Sequence, residues 1–131
     1  MTGKDWLPPM LRAWAYAWQA INLIDASLPS VLGRIREEGE GAAQGTFTQK
    51  YGEVYRGEAL AIARALHGAP WTVRGVIAAH YLLPFPPLGP AAEVKATALG
   101  IGGRQDYYRA LDAAYSYLAG RLDAQREMVN S

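Results

Sequence analysis

Cysteine is absent from the 131 residues, which excludes disulfides and thiolate-held zinc. Histidine is scarce. His67 and His80 are the only imidazoles, so neither a metal site nor any cofactor is expected, and no Ser-His-Asp or Cys-His set stands out. An excess of charge of one sign is missing too. Thirteen Lys and Arg against twelve Asp and Glu leave a formal net charge of +1, too small to announce a nucleic-acid partner by itself. No apolar run approaches the roughly 18 residues that a membrane-spanning helix needs. The opening Met1-Thr2-Gly3-Lys4-Asp5-Trp6 has no basic start followed by an apolar core and a small-residue cleavage site. A cytoplasmic chain without a membrane partner is therefore expected. Its carboxylates are scattered over polar positions, which points away from an enzyme.

What is present describes a soluble, all-α protein. Half of the residues are apolar and 19% are charged, the balance of a globular domain. The length suits one compact domain, or one domain with a short appendage. Residues 1–45 carry four basic and five acidic side chains and residues 46–131 carry nine and seven, so the C-terminal part is the more basic one.

Leu11, Trp14, Trp18 and Ile21 recur at spacings of three and four and predict a helix from about Pro9 to Asp25, behind prolines tolerated at a helix start. Its tryptophans either pack into a core or present an apolar surface to a partner. Gly33 to Gly45 holds four glycines and hardly any large apolar residue, and is expected to be a mobile loop. That loop would divide the chain into residues 1–45, a Trp-rich helix with its linker, and residues 46–131, a helical domain. From about Thr48 to Leu66 the stripe Tyr51, Tyr55, Ala59, Ile62 and Leu66 predicts a second helix, stopped by His67-Gly68-Ala69-Pro70. His67, beside that helix end, suits its last carbonyls. Trp71 to Leu83 predicts a third, with Val73, Val76, Ile77, His80 and Tyr81 on one face and His80 as a packed core histidine. Four prolines between Pro84 and Pro90 impose an extended connection.

The segment from about 91 to 122 is expected to bear the function. A short helix with Ala92, Ala96 and Leu99 on one face meets Gly100, a residue able to take the left-handed conformation that ends helices. A second helix starts near Arg104 and lays Tyr108, Leu111, Tyr115, Leu118 and Leu122 on one stripe. With that stripe inward, about a hundred degrees per residue turns Gln105, Arg109, Asp112 and Ser116 outward. Such a pair is a helix-turn-helix, and the expected partner is double-stranded DNA. Arg109 suits a guanine edge and Gln105 an adenine edge in the major groove. Arg104, in the first turn, suits phosphate, and Lys95 and Arg74 are flanking phosphate contacts. Tyr107 either touches the groove or packs inward, and Tyr108 joins the candidate contacts while also standing on the apolar stripe. Asp106 and Asp112 interrupt the basic face.

Val73-x-x-Val76-Ile77-x-x-His80-Tyr81, Ala96-Thr97-Ala98-Leu99-Gly100-Ile101 and Tyr107-Tyr108-Arg109-x-Leu111-x-x-Ala114 resemble the promoter-reading helix-turn-helix domain of bacterial sigma factors. More closely, Lys95-Ala96-x-x-Leu99-Gly100 and Tyr107-Tyr108-Arg109-x-Leu111-Asp112-x-Ala114 look like the C-terminal half of phage Q-type late-gene antiterminators. The match covers about residues 71–122. Gly102 stands where these families usually place a capping serine, and the turn is one residue longer. The resemblance implies a protein that binds DNA beside a promoter, engages bacterial RNA polymerase paused with its sigma factor, and suppresses downstream terminators in the host cytosol. Trp14, Trp18, Arg34 and Arg36 are then candidates for polymerase contact, and the chain belongs with the metal-free relatives. Two other readings fit the same residues: a helix-turn-helix repressor or activator that does not travel with polymerase, and a helical adaptor that binds no DNA.

Overall fold

The computed structural model describes residues 6–21, 28–41, 57–83 and 91–130, with the backbone alone at 21, 38–41 and 124–130. These residues form six helices and no strand: α1 (Leu7–Ile21), α2 (Leu28–Gly41), α3 (Gly57–Leu66), α4 (Trp71–Tyr81), α5 (Ala92–Leu99) and α6 (Arg104–Asn130). The all-α expectation holds.

The centre is α4. Val76, Ile77, Ala78 and Ala79 are inaccessible to solvent, so this helix is apolar nearly all round, the pattern of a helix enclosed by others. Around it pack α1, α2, α5 and α6, while α3 fills the space between α1 and α6. The close approach of α5 is permitted by Gly75 of α4. A Cβ there would stand 2.6 Å from Leu99 Cδ2 and 3.3 Å from the Trp71 ring, so the missing side chain is what lets Leu99 lie against the backbone of α4.

Two expectations about the N-terminal third are corrected. The glycine-rich stretch is helical as far as Gly41, because Leu28, Val31, Leu32 and Ile35 share one face and are all buried. Burial of four large side chains is worth several kcal/mol and outweighs the roughly 1 kcal/mol that each helical glycine costs. Gly33 sits on the solvent side with nothing near it. Nor do α1 and α2 stand apart from the rest. Leu7, Leu11, Trp14, Ala15 and Trp18 of α1 and the four α2 residues belong to the same buried cluster as the C-terminal helices.

Elsewhere the punctuation is as expected. Gly68, at φ 81°, ends α3, with the Ala69 amide donating to the Leu66 carbonyl at 3.0 Å. Pro70 then precedes α4, its carbonyl accepting from Val73 and Arg74. The expected helical turns over 48–56, with Tyr51 and Tyr55, the proline-rich connection 84–90, and glycine-rich residues 42–45 lie outside the described residues. No helix among the described residues is long and apolar enough to cross a membrane.

Candidate nucleic-acid interface

The turn between α5 and α6 is built by its glycines. Gly100 takes φ 76°, ψ 22°, and its amide donates to the Thr97 carbonyl at 3.1 Å, while that of Ile101 donates to Ala96 at 2.8 Å. These are the two reverse bonds of the Schellman motif, which satisfy carbonyls left over at a helix end. Three residues on, the Gly103 carbonyl accepts from the Tyr107 amide at 2.8 Å and opens α6. Gly102, in place of a capping serine, has a local reason: the Asp106 carboxylate occupies the space that its Cβ would fill.

From this turn α6 runs for 27 residues. Its buried row is Tyr107, Leu111, Ala114, Leu118 and Leu122, all under 7% exposed. The helix is therefore turned by one residue from the expected stripe at its start. Tyr107, left open between groove and core, packs inward with 1% of its surface accessible, whereas Tyr108 is 41% exposed. The outward row comes out as expected: Gln105, Arg109, Asp112 and Ser116 are exposed, and Arg104 with them. The Arg104 guanidinium lies 5.9 Å from the centre of the Tyr108 ring, and Arg109 Nη1 is 3.7 Å from Asp106 Oδ1. Turn, exposed arginines, glutamine and tyrosine are thus brought together at one end of α6.

Other proposed contacts are not part of that surface. Lys95 is 1% exposed and donates from Nζ to the Leu83 carbonyl at 3.1 Å. Withdrawal from water holds its ammonium below the ordinary lysine range. It fastens α5 to the end of α4 and is out of reach of phosphate. Arg74 is likewise engaged within the fold, donating from Nε to the Ala69 carbonyl at 3.0 Å and from Nη1 to the Ile35 carbonyl at 2.9 Å. Trp14 and Trp18 are 3% and 2% exposed, so they are core and have no face to offer to polymerase. Arg34 and Arg36 do remain on the surface of α2. The first pairs with Glu37 at 3.6 Å, and the second lies 4.4 Å over the Trp71 ring.

Beneath the surface row is a polar cluster that the sequence did not reveal. His80 Nδ1 and the Tyr107 hydroxyl share a hydrogen bond of 3.2 Å, and the Tyr81 and Tyr115 hydroxyls share one of 2.6 Å. Burial, and then the Lys95 charge, lower the His80 pKa to about 4. The Tyr107 hydroxyl is raised above the ordinary phenol range by burial, with Tyr108 and Tyr115 adding to it. Burial, followed by the hydrogen bond shared with Tyr115, does the same to Tyr81. The bonded pairs join α4 to α6, and so set the rotation of α6 about its axis. The only sequence signal for them was a histidine and a tyrosine at adjacent positions, 80 and 81, on a face otherwise aliphatic.

No protein family, curated protein or solved structure matches the chain.

Proposed function

We propose that the chain is a DNA-binding regulator of transcription in the bacterial cytosol, reading duplex DNA with the start of α6 and acting as an antiterminator. The observation that carries the DNA-binding part is the outward row Arg104, Gln105, Tyr108 and Arg109, which follows a turn of four residues and stands on a helix anchored from below by Tyr107 and Leu111. Arg and Gln have the donor and acceptor geometry to read guanine and adenine edges in a major groove that admits one helix. Antitermination rests on the resemblance of the 71–122 segment to Q-type late-gene antiterminators. Since Trp14 and Trp18 are enclosed, the polymerase-facing candidates reduce to Arg34 and Arg36 on α2.

Selection from a random duplex library by the full chain tests the first part. Enrichment of one sequence is expected, with Arg109→Ala weakening its binding by about 1–3 kcal/mol and leaving the circular dichroism unchanged. Absence of enrichment, or salt-insensitive binding, overturns DNA recognition. A template with the enriched element beside a promoter and a terminator downstream tests the second part. Readthrough should rise with added protein; regulated initiation without readthrough would reassign the chain as a repressor or activator.

A further inference from the structure

We infer that Asp106 is a positioning residue for Arg109, holding the guanidinium in a base-reading pose before DNA arrives and lowering affinity for DNA of the wrong sequence. This rests on the DNA-binding reading above. The Asp106 carboxylate is committed in two directions. Oδ1 faces Arg109 Nη1 at 3.7 Å, one helical turn further on. Oδ2 lies against Gly102, filling the place of the absent Cβ. The carboxylate thereby lies between the turn and the arginine. Its position as the third residue of α6 adds to this, because the amide-rich end of a helix favours a negative group.

Arg109 needs such a neighbour. Its side chain is 79% exposed. Ordering a rotamer-rich side chain on binding costs roughly two- to twelvefold in affinity, a cost that a preformed pose avoids. The same carboxylate repels phosphate, so a complex held only by backbone contacts carries its repulsion without the gain from a guanine edge. Attraction to the right sequence and repulsion from the wrong one are the two components from which specificity is made.

Two substitutions separate charge from placement. Asp106→Asn keeps the size and removes the charge. Gly102→Ala keeps the charge and displaces the carboxylate, and alanine is tolerated by the backbone because Gly102 does not have positive φ. Binding is measured on the selected duplex and on a shuffled duplex of the same composition. For Asp106→Asn the ratio of the two affinities should fall roughly two- to twelvefold, with tighter binding of the shuffled duplex. Gly102→Ala should lower the ratio through weaker binding of the selected duplex alone. In the free protein, the Arg109 Nε–Hε heteronuclear NOE should drop in both variants. An unchanged ratio together with an unchanged NOE overturns the role of Asp106 and leaves DNA recognition standing. If the unmodified chain enriches no duplex, the DNA-binding reading fails and this inference goes with it.

Discussion

Acidification should weaken the fold through one side chain, His80. Its pKa is about 4 in the folded chain against 6.5 for an unperturbed imidazole, because burial and the Lys95 ammonium both disfavour the imidazolium. A histidine whose folded pKa is lowered is protonated more readily in the unfolded chain. Stability is therefore complete above pH 6.5 and falls as the pH drops toward 4, where the loss levels off. The whole interval is worth at most about 3 kcal/mol, at about 1.4 kcal/mol per pH unit, and less than that because His80 is only partly buried and solvent screens its charge. Between pH 7.5 and pH 5 the expected loss is about 1–2 kcal/mol, in a range where ordinary carboxylates remain largely ionised. Urea unfolding at the two pH values measures it. In a His80→Gln variant the new amide offers an oxygen to the Tyr107 hydroxyl but does not titrate, so stability should change by about 1–2 kcal/mol less over the same interval. Parallel pH dependence in the two proteins would show that His80 is not held neutral by its surroundings, and would refute the reasoning.

Leu111→Ala should lower stability by about 2–5 kcal/mol, since Leu111 is 6% exposed in the middle of the buried row of α6; a melting temperature equal to that of the parent would place this face outward. Deletion of residues 1–45 should abolish cooperative unfolding, because it removes Leu7, Leu11, Trp14, Trp18, Leu28, Val31, Leu32 and Ile35 from the core. A sharp thermal transition in the truncated chain, followed by circular dichroism, would contradict that. Lys95→Ala should cost about 2–4 kcal/mol through the cavity and the lost bond to Leu83. It should leave the salt dependence of DNA binding unaltered; a slope reduced by about one unit would return Lys95 to the phosphate contacts.

How much of this is legible in the sequence differs from helix to helix. The exposed row of α6 could be derived from helical rotation alone, since one buried residue per turn suffices to orient the rest. Its first turn lies one position away from the stripe that periodicity predicts. Tyr107 and Tyr108 are equally apolar, and either continues to Leu111 at an allowed spacing. The choice is made by a hydrogen bond to His80, 27 positions earlier, which no local pattern contains. In α2 the four buried residues at 28, 31, 32 and 35 carried a helical signal that the glycines obscured. Gly33 lies toward solvent, where it costs only propensity. For Lys95 and Arg74 the sequence favours the surface, because charged residues usually lie there. Their partners are backbone carbonyls at Leu83, Ala69 and Ile35, and carbonyls are present in every residue and so leave no mark in a sequence.

Gly75 extends this dependence on the backbone to the interface itself. Leu99 is the last residue of α5, and its side chain rests where Gly75 has none. The height of the turn above the core, and with it the point from which α6 departs, is therefore set by an absent methyl group on a different helix. A larger residue at 75 would raise that point without altering any side chain on the outer row. On the proposed DNA-binding reading, fit would then change through tilt rather than chemistry, so a variant with its arginines and glutamine intact would meet the groove at a different angle.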